Sequence, residues 1–163
     1  MDVGCILKPA DILAVKKNTG FIGDMIKDIT NQQYAHIAIV GRDELHVFEA
    51  IWTGIRYHEI QNRFGDFDVF RHPHISPKQV STIIAYCSKR INLGYDYAEL
   101  FSYVFQGLKH FESPKKYICS GLAYEAYLAA GIQLVKQPGI IVTPGDIAAS
   151  PDLIQVNGAE VYI

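Results

Sequence analysis

The sequence predicts an α+β domain, with a curled antiparallel sheet packed against about three helices. Three observations predict it. Between residues 12 and 70 the chain carries short apolar or alternating runs separated by turn-forming residues, which is the pattern of strands. Near Ser76 the apolar period changes from two to about 3.6, the spacing of a helical face. The tail returns to alternation around Asn157-Gly158.

Taken in order, Lys8-Pro9-Ala10-Asp11 reads as a turn that leads into a buried strand over 12–15. Residues 20–29 space Phe21, Ile22, Met25, Ile26 and Ile29 as a helix would, despite two glycines. Strands follow over 35–40 and 45–50, joined by Gly41-Arg42-Asp43-Glu44, so the pair forms a hairpin. Residues 54–60 and 66–70 supply a third and a fourth alternating run. Ser76-Pro77-Lys78-Gln79 combines a capping box with proline at the first helical position. Val80, Ile83, Ile84, Cys87 and Ile91 then share one face, and Gly94 closes the helix. A second helix opens at Asp96 and carries Tyr97, Leu100, Phe101, Val104 and Leu108 on its apolar stripe. A polar loop over 112–116, including Lys115 and Lys116, leads to a third helix over 119–130, ended by Gly131. Residues 153–163 suggest a terminal hairpin about Asn157-Gly158.

With 163 residues the chain fits one domain spanning 1–163, because two halves would each lack a sufficient core. The net charge of −2 gives no general attraction to nucleic acid or anionic membranes. The three cysteines, Cys5, Cys87 and Cys119, are far apart and form no CxxC pair, which excludes a zinc ribbon or thioredoxin-type motif. A disulfide framework is not expected, and a reducing compartment is. The first residues lack the apolar run of a signal peptide, and no run reaches the ~20 residues of a membrane span. The expectation is therefore a cytoplasmic protein. His72-Pro73-His74 lacks a third ligand at metal-binding spacing and reads as an exposed strand-to-helix connection, so neither a metal nor another cofactor is expected.

Two features carry chemistry. If the hairpin turns symmetrically about Arg42 and Asp43, Val40 faces Leu45 and His36 faces Glu49. Residues directly opposite on antiparallel strands hold their Cβ atoms roughly 4.5–5.5 Å apart on one face. A carboxylate there fixes the tautomer of the imidazole and favours its charged form. Most cross-strand charge pairs are merely structural, but the strand of His36 is apolar throughout, and a buried polar pair needs a reason. A register slip of one would put the two groups on opposite faces. The second feature is Cys119, expected where a loop meets the first turn of a helix. Unbonded N–H groups and the helix dipole favour a thiolate there, and an adjacent imidazolium favours it further. A free cysteine is more often a small buried hydrophobe, which is the reading for Cys87 and for Cys5. Ser120-Gly121 puts no bulk beside Cys119.

Read together, the motifs Pro9-Ala10-Asp11-Ile12-Leu13, Tyr34-Ala35-His36-Ile37-Ala38-Ile39-Val40, Val47-Phe48-Glu49-Ala50, Gly94-Tyr95-Asp96-Tyr97, Tyr117-Ile118-Cys119-Ser120-Gly121-Leu122 and Thr143-Pro144-Gly145-Asp146-Ile147 make the chain resemble the permuted NlpC/P60 (papain-like) hydrolases of the YiiX/YebB-like group. The resemblance covers nearly the whole chain and rests on the order and spacing of motifs that are individually weak. It implies a circularly permuted papain-like fold, with the histidine strand ahead of the nucleophile helix. It assigns the nucleophile to Cys119, the base to His36 and the third polar residue to Glu49. The implied activity is thiol-dependent cleavage of an amide bond in a small peptide or amino-acid conjugate. Related permuted members act on lipids as acyltransferases or phospholipases, and only that alternative would bring membrane contact. A catalytically silent binding module with this fold is the third reading. The family often has Glu after the Cys-Ser pair, where this chain has Gly121, a departure at the substrate pocket. Helix N–H groups, that of Cys119 included, are expected to hold the oxyanion. Tyr117, Tyr34, Tyr97 and Ser120 are the further oxyanion or substrate candidates, and the sequence does not choose among them.

Overall fold

The computed structural model describes residues 7–16, 33–51, 54–60, 67–91, 115–136, 138 and 142–156, with the main chain alone for 115–118. The helix expected over 20–29, the one opening at Asp96, Cys5, Tyr97 and the Asn157-Gly158 turn lie outside the described residues. The described residues form six strands: β1 (Ile12–Lys16), β2 (Tyr34–Val40), β3 (His46–Ile51), β4 (Gly54–Glu59), β5 (Phe67–Arg71) and β6 (Ile154–Val156). They form one antiparallel sheet in the order β4-β3-β2-β1-β5-β6. Three helices are described: α1 (Pro77–Ser88), α2 (Lys115–Ala129) and the short α3 (Pro144–Ala148). The general expectation of an α+β fold with an antiparallel sheet and about three helices holds.

Alternation along the strands divides the apolar side chains between two faces. Ile12, Ala14, Ile37, Ile39, Phe48, Ala50 and Phe70 meet Ile83, Ile84 and Cys87 of α1, Leu122, Ala123, Ala126 and Tyr127 of α2, and Ile147 of α3. Leu13, Val15, Ala38, Val40, Val47 and Val69 form the opposite layer with Leu7 and Ile60. β1 lies fourth in the order, with neighbours on both sides, and its Ile12 and Leu13 are wholly buried on opposite faces. Each such side chain contributes about 1.5–3 kcal/mol.

The helix ends follow local chemistry. Ser76 caps α1 by accepting from the Gln79 N–H at 3.2 Å, while Gln79 Oε1 accepts from the Ser76 N–H at 3.0 Å. The helix stops at Ser88, earlier than the apolar stripe suggested. α2 ends in a paired motif, with Gly131 N–H donating to Leu128 O at 2.9 Å and Ile132 N–H to Tyr127 O at 2.9 Å. Gly131 has φ 78, the left-handed value this ending requires. Thr143 and Asp146 form a second capping box, which starts α3. That signal stood in the sequence as Thr143-Pro144-Gly145-Asp146 but was not expected to open a helix.

The turn at Lys8-Pro9-Ala10-Asp11 anchors β1 and α2 together. Asp11 accepts from Lys8 N–H at 2.7 Å and from Arg71 Nε and Nη2 at 2.7 and 2.6 Å. Ala10 adopts φ 72, and its carbonyl accepts the buried Tyr127 hydroxyl at 2.6 Å. A tyrosine on α2, eight residues beyond Cys119, thereby ties that helix to the sheet.

Candidate active site

The hairpin brings His36 and Glu49 together by a different register from the expected one. Val40 pairs with Val47 and Ile39 with Phe48, so Val40 does not face Leu45. The cause is the turn: Asp43 Oδ1 collects the N–H groups of Leu45 and His46 at 3.2 and 3.0 Å, and Glu44 takes φ 64. These contacts hold Leu45 in the loop, where it is exposed. Continued along the strands, the observed register sets Ala38 opposite Glu49 and Ile51 opposite His36. The displacement is two residues, and a shift of two preserves the face. Glu49 and His36 are thus diagonal neighbours, and Glu49 Oε2 lies 2.9 Å from His36 Nε2.

Cys119 joins them from α2, where its thiol is hydrogen-bonded to His36. His36 Nε2 is engaged by Glu49, which leaves Nδ1 for the sulfur. The N–H groups of Ile37 and Ser120 also point at the sulfur. The β2–β3 ladder pairs Ile39 and Val40 of β2, so Ile37 lies beyond it, and its N–H meets Cys119 instead.

One expectation about Cys119 is corrected. α2 begins at Lys115, so Cys119 is its fifth residue and sits in the second turn. Its own N–H belongs to the intrahelical ladder, and the free donors of a helix start lie a turn earlier. Lys115 and Lys116, expected in a solvated loop, form that first turn. Ser113-Pro114 was the overlooked signal, since serine followed by proline reads as a cap and first helical residue. The thiolate is favoured by contacts with His36 and the Ile37 and Ser120 N–H groups, not by the helix end.

The electrostatics favour a thiolate beside an imidazolium. Burial alone would raise the Cys119 pKa, but the charge and hydrogen bond of His36, with the two N–H groups, bring it below the ordinary thiol value. Burial alone would lower that of His36, but the charge and hydrogen bond of Cys119, then those of Glu49, carry it to about 10. Glu49 is pushed up by burial and drawn down further by His36 and His58, to about 2. The group is nearly dry: Cys119 is 1% exposed and Glu49 4%. Cys87, by contrast, is pushed by burial to about 12 despite Arg90 nearby, as suits a core thiol.

The other candidates fall differently. The Ser120 hydroxyl is completely buried and donates to Val142 O at 2.7 Å, so it fastens α2 to the segment before α3 and does not face a substrate. The Tyr34 hydroxyl donates to Asp68 Oδ2 at 2.6 Å, and its ring meets Phe70 edge-on. Tyr34 therefore has a structural place on the sheet. The Tyr117 main chain lies in the first turn of α2. A Cβ built on Gly121 would meet nothing within 4 Å, so this position adds no wall beside the cysteine. His72 and His74 lie in the turn between β5 and α1, where His72 Nδ1 accepts from the His74 N–H at 3.3 Å. Among the described residues no cluster of His, Cys, Asp or Glu could hold a metal ion, and no helix is long and apolar enough to cross a membrane.

Sequence reasoning missed His58. Its Nε2 lies 2.7 Å from Glu49 Oε1. The signal was available: the short connection after Ile51 pairs Glu49 with Arg56 and Val47 with His58, which puts His58 diagonal to Glu49 on the same face.

A scan against models of known protein families finds no match, and a search of curated proteins finds no relative.

Proposed function

We propose that the chain is a cysteine-dependent hydrolase that cleaves an amide bond, of peptide or isopeptide type, through a thioester on Cys119. The observation that carries the reading is the chain of contacts from Cys119 to His36 to Glu49, buried and polarised toward thiolate and imidazolium. A structural cysteine is served by burial alone, as Cys87 is, and needs no such partners. The order of motifs that resembles permuted papain-like hydrolases supports the same reading.

In this mechanism the Cys119 thiolate attacks the carbonyl carbon and a carbon–sulfur bond forms. His36 gives its proton to the nitrogen as the carbon–nitrogen bond breaks, and the amine leaves. Water then attacks the thioester, His36 takes a proton from it, and the carbon–sulfur bond breaks to release the acid. That proton restores the starting pair. Glu49 holds the ring so that Nδ1 stays on the sulfur and stabilises the imidazolium. The Ile37 N–H, a main-chain donor from outside α2 directed at the sulfur, is the donor this mechanism assigns to the developing oxyanion.

The test is a panel of peptides, isopeptides and acyl-lipid vesicles, with products followed by mass spectrometry against a Cys119→Ala control. The expected result is amide cleavage with an acyl mass trapped on Cys119, and a loss on the order of 10³-fold or more in the control. Cleavage that survives in Cys119→Ala overturns the mechanism. Fatty acid released from vesicles, with no amide cut, replaces the amide substrate by a lipid ester.

A further inference from the structure

We propose that His58 is a positioning residue of the Cys119 site, the outer member of a four-group chain in which Glu49 is shared between two imidazoles. The proposal rests on the hydrolytic reading above and adds a residue to it. Glu49 divides its oxygens, Oε2 lying 2.9 Å from His36 Nε2 and Oε1 2.7 Å from His58 Nε2. The other nitrogen of His58, Nδ1, lies 2.8 Å from the Glu59 carbonyl oxygen. A carbonyl oxygen and an ionised carboxylate can only accept. Both His58 bonds are made at once only when each ring nitrogen carries a proton. The chain then runs thiolate, imidazolium, carboxylate, imidazolium, carbonyl oxygen. Its formal charges alternate in sign and sum to zero.

Two consequences follow for the chemistry. With Oε1 held by His58, the carboxylate cannot turn about its own axis, so Oε2 stays on His36 and the His36 ring stays aimed at sulfur. The second cation also offsets the carboxylate charge that His36 feels, and it adds positive potential favouring the thiolate. The outer end of the chain meets solvent, the His58 side chain being 18% exposed against 5% for Glu49. The charged groups around His58 include Glu49 from β3, His36 beyond it on β2, and Arg56, two residues away on β4 and paired with Glu49. Cys119 completes the set from α2.

The experiment is a titration of the Cys119 thiolate by its ultraviolet absorbance, which needs neither substrate nor access to the sulfur. Each protein is measured against its own Cys119→Ser counterpart, for the parent chain, His58→Ala and His58→Gln. His58→Gln keeps an N–H for Oε1 without the charge and is the conservative variant in case His58→Ala does not fold. The expected result is that the midpoint of Cys119 ionisation rises by roughly half a pH unit to one in His58→Ala. It rises less in His58→Gln, where orientation is kept. A folded His58→Gln protein whose titration superimposes on the parent's, with His58→Ala either the same or unfolded, overturns the proposal and leaves His58 as a sheet-stabilising residue. The hydrolytic reading fails by a different result: a parent chain in which Cys119 is no more ionised than Cys87 near neutral pH, which removes this role for His58 as well.

Discussion

Extended from the Ile39–Phe48 pair, the register sets Glu49 two residues along β3 from the position opposite His36, and its Oε2 still closes a 2.9 Å hydrogen bond to His36 Nε2. A diagonal contact lets the carboxylate arrive obliquely. One oxygen reaches back to β2 while the other stays over β4, where His58 takes it at 2.7 Å. A directly opposed pair could spend both oxygens on a single ring. The geometry thus couples three adjacent strands at one carboxylate, and several measurable outcomes depend on it.

Hydrolysis is expected to follow a bell-shaped pH profile. Its acid limb reports formation of the Cys119 thiolate and lies below the ordinary thiol value of 9.0. Its alkaline limb reports loss of the His36 proton at about 10, after which no acid remains for the leaving amine. Initial rates measured across pH check this. A single rise near the ordinary thiol value, with no alkaline fall, contradicts the ion pair.

Glu49→Gln is expected to lower kcat/KM by about 10²-fold, since the amide neither fixes the tautomer nor balances the imidazolium. It also carries a stability signature. The folded Glu49 carboxyl sits near 2 against an ordinary 4.5, so its stabilisation is present above about 4.5 and is lost as pH falls through about 2. Urea melts should therefore show parent and variant well separated at neutral pH and converging toward pH 2. A gap that widens in acid reverses the sign and refutes the assignment.

Arg71→Met is expected to destabilise the fold by about 3 kcal/mol or more. It leaves Asp11, 2% exposed, without the two bonds Arg71 supplies. Denaturant unfolding measures the loss. A change under about 1 kcal/mol would mean that the Lys8 N–H and water suffice for Asp11.

Gly131→Ala is expected to cost about 1 kcal/mol by thermal or urea unfolding. The strain is purely conformational, because φ is 78 and a Cβ at that position meets nothing within 4 Å. An unchanged melt would show that the ending of α2 relaxes freely.

Much of the sheet was legible because its strands alternate or are apolar throughout, and tertiary packing reinforces that pattern at Ile12, Ile37, Val47 and Val69. The register of the central hairpin was not. It depends on the Asp43 carboxylate gathering two N–H groups in the turn, a side-chain choice that strand periodicity does not encode. The pairing of His36 with Glu49 survived because a two-residue displacement keeps the face, so the expected contact was reached through an incorrect register. The start of α2 lies earlier than expected because Lys115 and Lys116 read as loop by polarity alone, whereas the preceding Ser113-Pro114 is itself a helix-start signal. The β3–β4 pairing made the nearness of His58 to Glu49 legible, but not which carboxylate oxygen remains for it, because that depends on the diagonal approach of Glu49 to His36.

Two hydroxyls of α2 reach main-chain carbonyls outside the helix: Ser120 donates to Val142 O at 2.7 Å and Tyr127 to Ala10 O at 2.6 Å. Seven residues separate the two hydroxyls, roughly 10 Å along the axis at 1.5 Å per residue. That spacing acts as a ruler set into the molecule. Adding or deleting a residue between them would swing one anchor about 100° around the helix and detach it. The length of the interval is therefore as constrained as the core residues Leu122, Ala123 and Ala126 that fill it.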